Sequence, residues 1–276
     1  MKRGWRRWLL FVALCAVALW LWAFELEPRR LVTHEIRLDL PRWPREFSGL
    51  RVALLSDLHV GSRHWGVERL PELVARTNAA QPDLIVLAGD YISHNRFGEQ
   101  VEPEAIALGL SGFRAPLGVV LVLGNHDVWF DASRVTQAFE AYGMRVLENQ
   151  AVVLRFRDRE LCVVGLADQM TRPQRVRATF DALSTGATII AVVHEPDVFV
   201  EIDERVALTL AGHTHGGQVN LPLLGRLLVP SLYGERFAAG HIVENGRHLF
   251  VTTGVGTSIL PLRFRVPPEI ALLTLR

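Results

Sequence analysis

Apolar and polar positions divide the chain into an apolar leader and a long tract of short, recurring, buried-looking runs. Residues 8–24 form one uncharged apolar stretch, close to the roughly 17–25 residues that a bilayer-crossing helix needs. A polar, Pro-containing connector follows over residues 25–49, with a strand-like stretch at 33–40. Then "LRVALLSD" reads as a buried strand, "GVERLPELVARTNAAQ" has helical spacing at Val67, Leu70, Leu73 and Val74, and "PDLIVLAGD" is a second strand. A helix near 102–110, the strand "LGVVLVLGN", a helix near 133–142 and a strand near 144–147 continue the alternation. Later the character changes. "AVVLRFRDRELCVVGL" reads as a hairpin turning at 157–159, "ATIIAVVHEP" and "VALTLAGHTH" as two further strands, and residues 216–246 as loop. "RHLFVTTGVG" and "EIALLTLR" close as strands. Alternating helices first and strand pairs later predict an α/β fold of two packed sheets flanked by helices.

The apolar leader gains meaning from its flanks. Lys2, Arg3, Arg6 and Arg7 precede it, and Trp5, Trp8, Trp20 and Trp22 sit near its two ends, as interfacial aromatics do. The basic flank predicts a cytoplasmic N-terminus, with the remaining chain on the other side of the membrane, periplasmic or extracellular. A cleaved signal is the rival reading, with Ala16, Val17 and Ala18 as a small-residue site and Arg6 and Arg7 as a twin-arginine hint. We carry forward an uncleaved single-pass anchor, giving an anchor at 1–28, a connector at 29–49 and a catalytic domain at 50–276.

Composition changes little. Thirty Lys and Arg nearly balance 29 Asp and Glu, so net charge gives no reason to expect a nucleic-acid partner, and nothing identifies a protein partner. Two cysteines, Cys15 and Cys162, each within an apolar stretch, make a disulfide framework improbable and read as small buried apolar residues.

Candidate chemistry enters where the strands stop. Asp57 and His59 lie in "SDLH", Asp90 in "GD", Asn125 and His126 in "GNHD", His194 in "VVHE", and His213 and His215 in "GHTH". One Asp or Asn after a strand is ordinarily a turn, and one buried His an ordinary core residue. Five such strand ends are another matter, because strand ends in an open α/β sheet share a crevice. Carboxylates mixed with imidazoles, without clustered thiolates, suit Mn, Fe or Zn. Seven ligands drawn from these eight residues would over-supply one ion and match two, with one carboxylate shared.

The series DxH, GD, GNH(D/E), H, GHxH, present in order, resembles the calcineurin-like metallophosphoesterases. That resemblance implies a four-layer α-β-β-α sandwich of two mixed sheets. It implies that Asp57, His59, Asp90 and His215 hold one divalent metal and Asp90, Asn125, His194 and His213 the other, Mn being the first expectation. His126 is then the non-ligand that protonates the leaving oxygen, with Asp127 orienting its ring, while a water between the metals attacks phosphorus in line. Arg63 and His64 are candidate substrate contacts, with His94 and Asn95 similar cases; His34, His241 and His248 read as surface or structural. "GHTHGGQV", the leucine-rich loop after it and "RFRVPPEI" resemble the membrane-associated bacterial branch that includes phosphodiesterases and the UDP-diacylglucosamine pyrophosphatase of lipid A synthesis. A phosphoester substrate, lipid-linked or membrane-proximal, is the expectation, although nucleotide-linked lipid A precursors belong on the cytoplasmic face, against the predicted topology. A metal-bound scaffold without catalysis would predict a lost ligand or a lost His126, and neither is missing. A lactamase-like hydrolase would show an HxHxDH cluster, and none is found.

Overall fold

Why the apolar runs stop where they do follows from how they pair. The structure, a computed structural model, describes residues 2–94, 98–183 and 186–276, so Asn95 lies outside the described residues. In chain order the strands are β1 Val32–Leu38, β2 Leu50–Leu55, β3 Leu84–Ala88, β4 Val119–Val122, β5 Arg145–Val146, β6 Gln150–Phe156, β7 Arg159–Gly165, β8 Thr188–Val192, β9 Val206–Ala211, β10 Gly240–Glu244, β11 Arg247–Val251 and β12 Glu269–Leu275. The helices are α1 Lys2–Leu21, α2 Leu70–Ala79, α3 Pro103–Leu110, α4 Asn125–Glu140 and α5 Val176–Asp181.

Two six-stranded mixed sheets result, ordered β1-β12-β2-β3-β4-β5 and β10-β11-β9-β8-β7-β6. In the first, β2 to β5 run parallel and β12 is antiparallel to β2. In the second, β11, β9, β8 and β7 run parallel, with antiparallel β10 and β6 at the edges. Both faces of the central strands are buried, as parallel sheets require, and the two-residue period sorts the side chains. Val52, Leu54, Val86 and Val120 meet Leu161, Val163, Ile190 and Leu208 between the sheets, whereas Ala53, Leu55, Ile85 and Leu121 face α2, α3 and α4. On the far side Cys162, Val164, Ile189 and Ala191 pack with Phe180 and Phe199. This is a four-layer α-β-β-α sandwich.

The differences from the sequence reading are local. β10 lies in the stretch expected to be loop, because a half-exposed edge strand has no apolar run to announce it. α5 was also unanticipated, being only six residues long. α4 starts at Asn125 rather than near 133, so "GNHD" is a strand end and a helix start in one, and its extended residue Asp131 breaks the helical run. Cys162 is buried, but Cys15 is exposed on the surface of α1 rather than packed inside.

Candidate metal centre

The polar residues that end β2, β3, β4, β8 and β9 meet at one crevice, and after β2, β3 and β9 unusual backbone turns them toward it. Asp57, His59, Asp90, His213 and His215 all have positive φ, between 40° and 69°. Asp and His enter this left-handed region more readily than most residues, yet each such non-glycine position costs of order 1–3 kcal/mol, and such strain clusters at functional sites. Main-chain bonds lock the turns together: the Asp57 amide donates to Gly89 (2.9 Å), that of His59 to Asp90 (3.0 Å) and that of Gly256 to Asp57 (2.7 Å). Gly124 must be glycine for space, since a Cβ there would lie 2.3 Å from an Asp90 carboxylate oxygen.

Asp90 is the hub. One of its oxygens accepts the His126 amide at 2.9 Å, and the other lies 3.6 Å from His59 Nε2 and 3.3 Å from His194 Nε2. His215 Nε2 is 3.0 Å from His59 Nε2 and 3.5 Å from Asp57, while His213 Nδ1 is 3.2 Å from His194 Nε2. Three donor groups are each drawn within 4.8 Å: Asp57 with His59 and His215, His59 with Asp90 and His126, and Asp90 with His194 and His213. Asn125 is buried and its side-chain oxygen has no hydrogen-bond partner. A buried orphan oxygen is costly unless something electropositive meets it.

The electrostatics agree. Burial lowers His59 to about 3 and His213 to about 4, despite the opposing pull of Asp90, so both present neutral imidazoles. Burial also lowers His215, helped by His59 and by the guanidinium of Arg263. Burial acts to lower His194 as well, yet the charge and hydrogen bond of Asp90 outweigh it and raise that imidazole well above its usual value. The polypeptide thus favours positive charge beside Asp90. Neutral imidazole nitrogens facing each other, a shared carboxylate and an orphan amide oxygen together fit divalent cations.

The chain matches the family model for calcineurin-like phosphoesterases over residues 50–217. The chain belongs to this family. It is 34% identical over 258 residues to the uncharacterized metallophosphoesterase YkuE of Bacillus subtilis, covering 92% of this chain and 89% of that one. Against phosphodiesterase YaeI of Escherichia coli the identity is 31% over 233 residues, 82% of each chain. Against the UDP-2,3-diacylglucosamine pyrophosphatase LpxG of Chlamydia trachomatis it is 25% over 317 residues, 93% of each. The chain is accordingly a metal-dependent phosphoester hydrolase.

Within this phosphoesterase three expected contacts are placed differently. The Asp127 carboxylate does not face the His126 ring. It accepts the amides of Asp90 (2.8 Å), Tyr91 (2.8 Å), Ile92 (3.3 Å) and Gly124 (2.9 Å), stapling the turn after β3 to the turn after β4. His126 Nδ1 is instead 3.2 Å from Nδ1 of His94, with the Trp129 ring 5.0 Å away. Arg63 pairs with Glu25 at 2.6 Å, and His64 lies between Arg29 and the Pro261 carbonyl. Those two residues tie the segment after α1 to the domain. His34 pairs with Glu269, and His241 with His248.

Other groups near the centre went unremarked in the sequence. Asp168 ends β7 in "GLAD" as Asp57 ends β2, and its buried oxygen Oδ1 has no partner. Burial, and next the Asp168 carboxyl beside it, push the neighbouring Glu195 up to about 8. Arg263 is wholly buried, donates to the carbonyls of Thr253, Gly254, Gly256 and Val266, and lies 3.4 Å from His215 Nδ1. The repeated strand-end pattern was a signal for Asp168; nothing local marked Arg263.

Proposed function

We propose that the chain is a membrane-anchored hydrolase of phosphodiester or pyrophosphate bonds built around two divalent ions, with Mn the first candidate and Fe or Zn alternatives. The observation that carries this reading is Asp90, with one carboxylate oxygen between imidazoles from two different donor groups. Asp57, His59 and His215 would hold one ion and Asn125, His194 and His213 the other, with Asp90 common to both. When bound, such a pair neutralises phosphate charge and makes a nucleophile usable near neutral pH. Asp90 and the turn residues fix the donors, and the stapled turns keep them from relaxing. His126, half-buried beside the cluster and not needed as a ligand, is in position to hand a proton to the departing oxygen, with His94 setting its ring. Asp127 acts through the backbone, by holding the two turns in register.

Phosphodiesters are supported by the relative named a phosphodiesterase, and pyrophosphates by LpxG, which also supports the narrower alternative of UDP-2,3-diacylglucosamine hydrolysis. Anchoring is supported by the helical segment spanning Gly4–Arg29, long and apolar enough to cross a bilayer, with the basic flank favouring a catalytic domain outside the cytoplasm. The test is the full chain in detergent with bis(p-nitrophenyl) phosphate and Mn. Metal-dependent release of nitrophenol is expected; inertness toward this and other phosphoesters with bound metal would instead favour a non-catalytic scaffold. A C-terminal topology reporter decides the membrane face.

A further inference from the structure

Two neighbouring loops display apolar side chains with nothing on them. Leu228 is 79% exposed, Leu232 90% and Ile259 82%, with Leu223, Leu227 and Leu260 exposed beside them in sequence. Ile259 and Leu223 are also held at positive φ, 57° and 68°. A β-branched residue in that conformation is a genuine outlier. Strained backbone that presents an isoleucine to water is doubly unfavourable, unless something apolar meets it.

What meets it is indicated by the neighbouring contacts. The two loops are stitched together: Gln218 donates to the Leu260 carbonyl at 3.1 Å and accepts the Ser258 amide at 2.7 Å, and the Asn220 amide donates to Phe264 at 2.9 Å. The second loop is fastened to the end of the apolar helix. The Arg263 amide donates to Ala23 at 2.9 Å and the Val266 amide to the Glu27 carboxylate at 2.8 Å, while Trp65 Nε1 donates to Pro28 at 3.1 Å. Trp20 and Trp22, with the Glu25, Arg29 and Arg63 ion pairs just beyond, are the residue types found where a helix leaves hydrocarbon for the headgroup layer. The leucine loops therefore sit at the level of that exit.

We infer that Leu223, Leu227, Leu228, Leu232, Ile259 and Leu260 seat the catalytic domain on the same leaflet from which α1 emerges. This rests on the membrane-anchor reading above. The first loop continues directly from His215, and Arg226 within it donates to the Gly216 carbonyl at 2.9 Å. The seated face is thus covalently next to the donor cluster, and the substrate class it fits is an amphiphile of that leaflet with its phosphoester at the headgroup level.

The test uses the full chain in phosphatidylcholine nanodiscs with one nitroxide at a time, all in a Cys162→Ala background. Native Cys15 reports on α1. Leu228→Cys and Ile259→Cys report on the two loops, and Val153→Cys, exposed on β6, is the aqueous reference, these three also carrying Cys15→Ala. Power saturation compares collisions with oxygen and with a water-soluble nickel chelate. Labels at 228 and 259 are expected to show an oxygen-to-nickel ratio several-fold above that at 153 and approaching that at 15. Loop labels matching 153 while 15 remains lipid-like would overturn the seating and leave the anchor standing. A water-like label at Cys15 would overturn both.

Discussion

The two sheets have nearly mirrored strand orders but bring different chemistry to the crevice between their ends. As donors the first supplies the carboxylates Asp57 and Asp90, the orphan amide of Asn125 and the imidazoles His59 and His126; the second supplies His194, His213 and His215, with Asp168 and Glu195 set beside them. The carboxylates within the donor groups therefore come from one side and imidazoles alone from the other. Left to itself the acidic side is self-repelling: burial, with the charge of Asp90 adding to it, pushes Asp57 up to about 7 although His194 pulls the other way. The His194 imidazole of the opposite sheet relieves this most, with the Ser56 hydroxyl and the His213 amide helping, and a cation would relieve it further. Packing of the sheets and chemistry of the centre are one event.

Removing Asp90 breaks the comparison most severely. In Asp90→Ala the first sheet loses its hub, and metal uptake and turnover are expected to disappear together, beyond the roughly 10–100-fold that partners outside the ligand set cost. Metal content by mass spectrometry and Mn-dependent thermal stabilisation, present in the parent and absent in the variant, check this independently of rate. An Asp90→Ala protein that still binds two equivalents would refute the shared-ligand assignment.

His126→Ala separates chemistry from assembly on the same side. Metal content is expected to persist while kcat falls by about 10²–10⁴, the span typical of a lost general acid. His94→Ala should lower kcat less, again with metal retained. Equal metal loss in His126→Ala and Asp90→Ala would make His126 a ligand instead.

Asp127 next distinguishes a staple from a catalytic orienter. Its carboxylate accepts four buried amides, and each amide left unpaired costs about 1–3 kcal/mol. Asp127→Ala is therefore expected to lower stability of the metal-free protein by several kcal/mol in denaturant titration. Parent-like stability with a reduced kcat would restore the role expected from sequence.

That case also marks the limit of legibility. Strand ends carrying Asp, His and Asn could be read off the chain because both the two-residue period and the ligand types are local properties. Whether Asp127 meets a ring or four amides depends on how the turn after β3 crosses the turn after β4, which no local pattern records. Arg63 and His64 follow "SDLHVG" closely, yet their partners Glu25 and Pro261 come from opposite ends of the chain. α4 starts eight residues before the expected 133 because its first turn is polar and serves the site before its apolar face begins. β10 escaped because an edge strand needs no continuous apolar run.

The outer edges of the two sheets give the smallest and most selective contrast. In the first sheet His34 of β1 lies 2.7 Å from Glu269 of β12, whose hydrogen bond raises His34, and Glu269 is lowered despite its burial. In the second, His241 of β10 and His248 of β11 are 3.0 Å apart and both are lowered, chiefly by burial, with His241 adding to the effect on His248. The signs are opposite. The raised His34 contributes fully below its unfolded value of 6.5, and that contribution fades as pH rises through its folded value; Glu269 contributes above 4.5 and fades below it. The lowered histidines do the reverse, since the unfolded chain takes up more protons as pH falls through 6.5, so the second edge weakens in acid. Because His34 is 45% exposed at its side chain, solvent screening keeps the effect below about 1 kcal/mol. At pH 5.5 His34→Ala is expected to destabilise and His241→Ala to stabilise slightly, with both differences shrinking or reversing by pH 8. Urea midpoints at the two pH values measure this, and a shift of the same sign for both variants at pH 5.5 would refute the contrast between the edges.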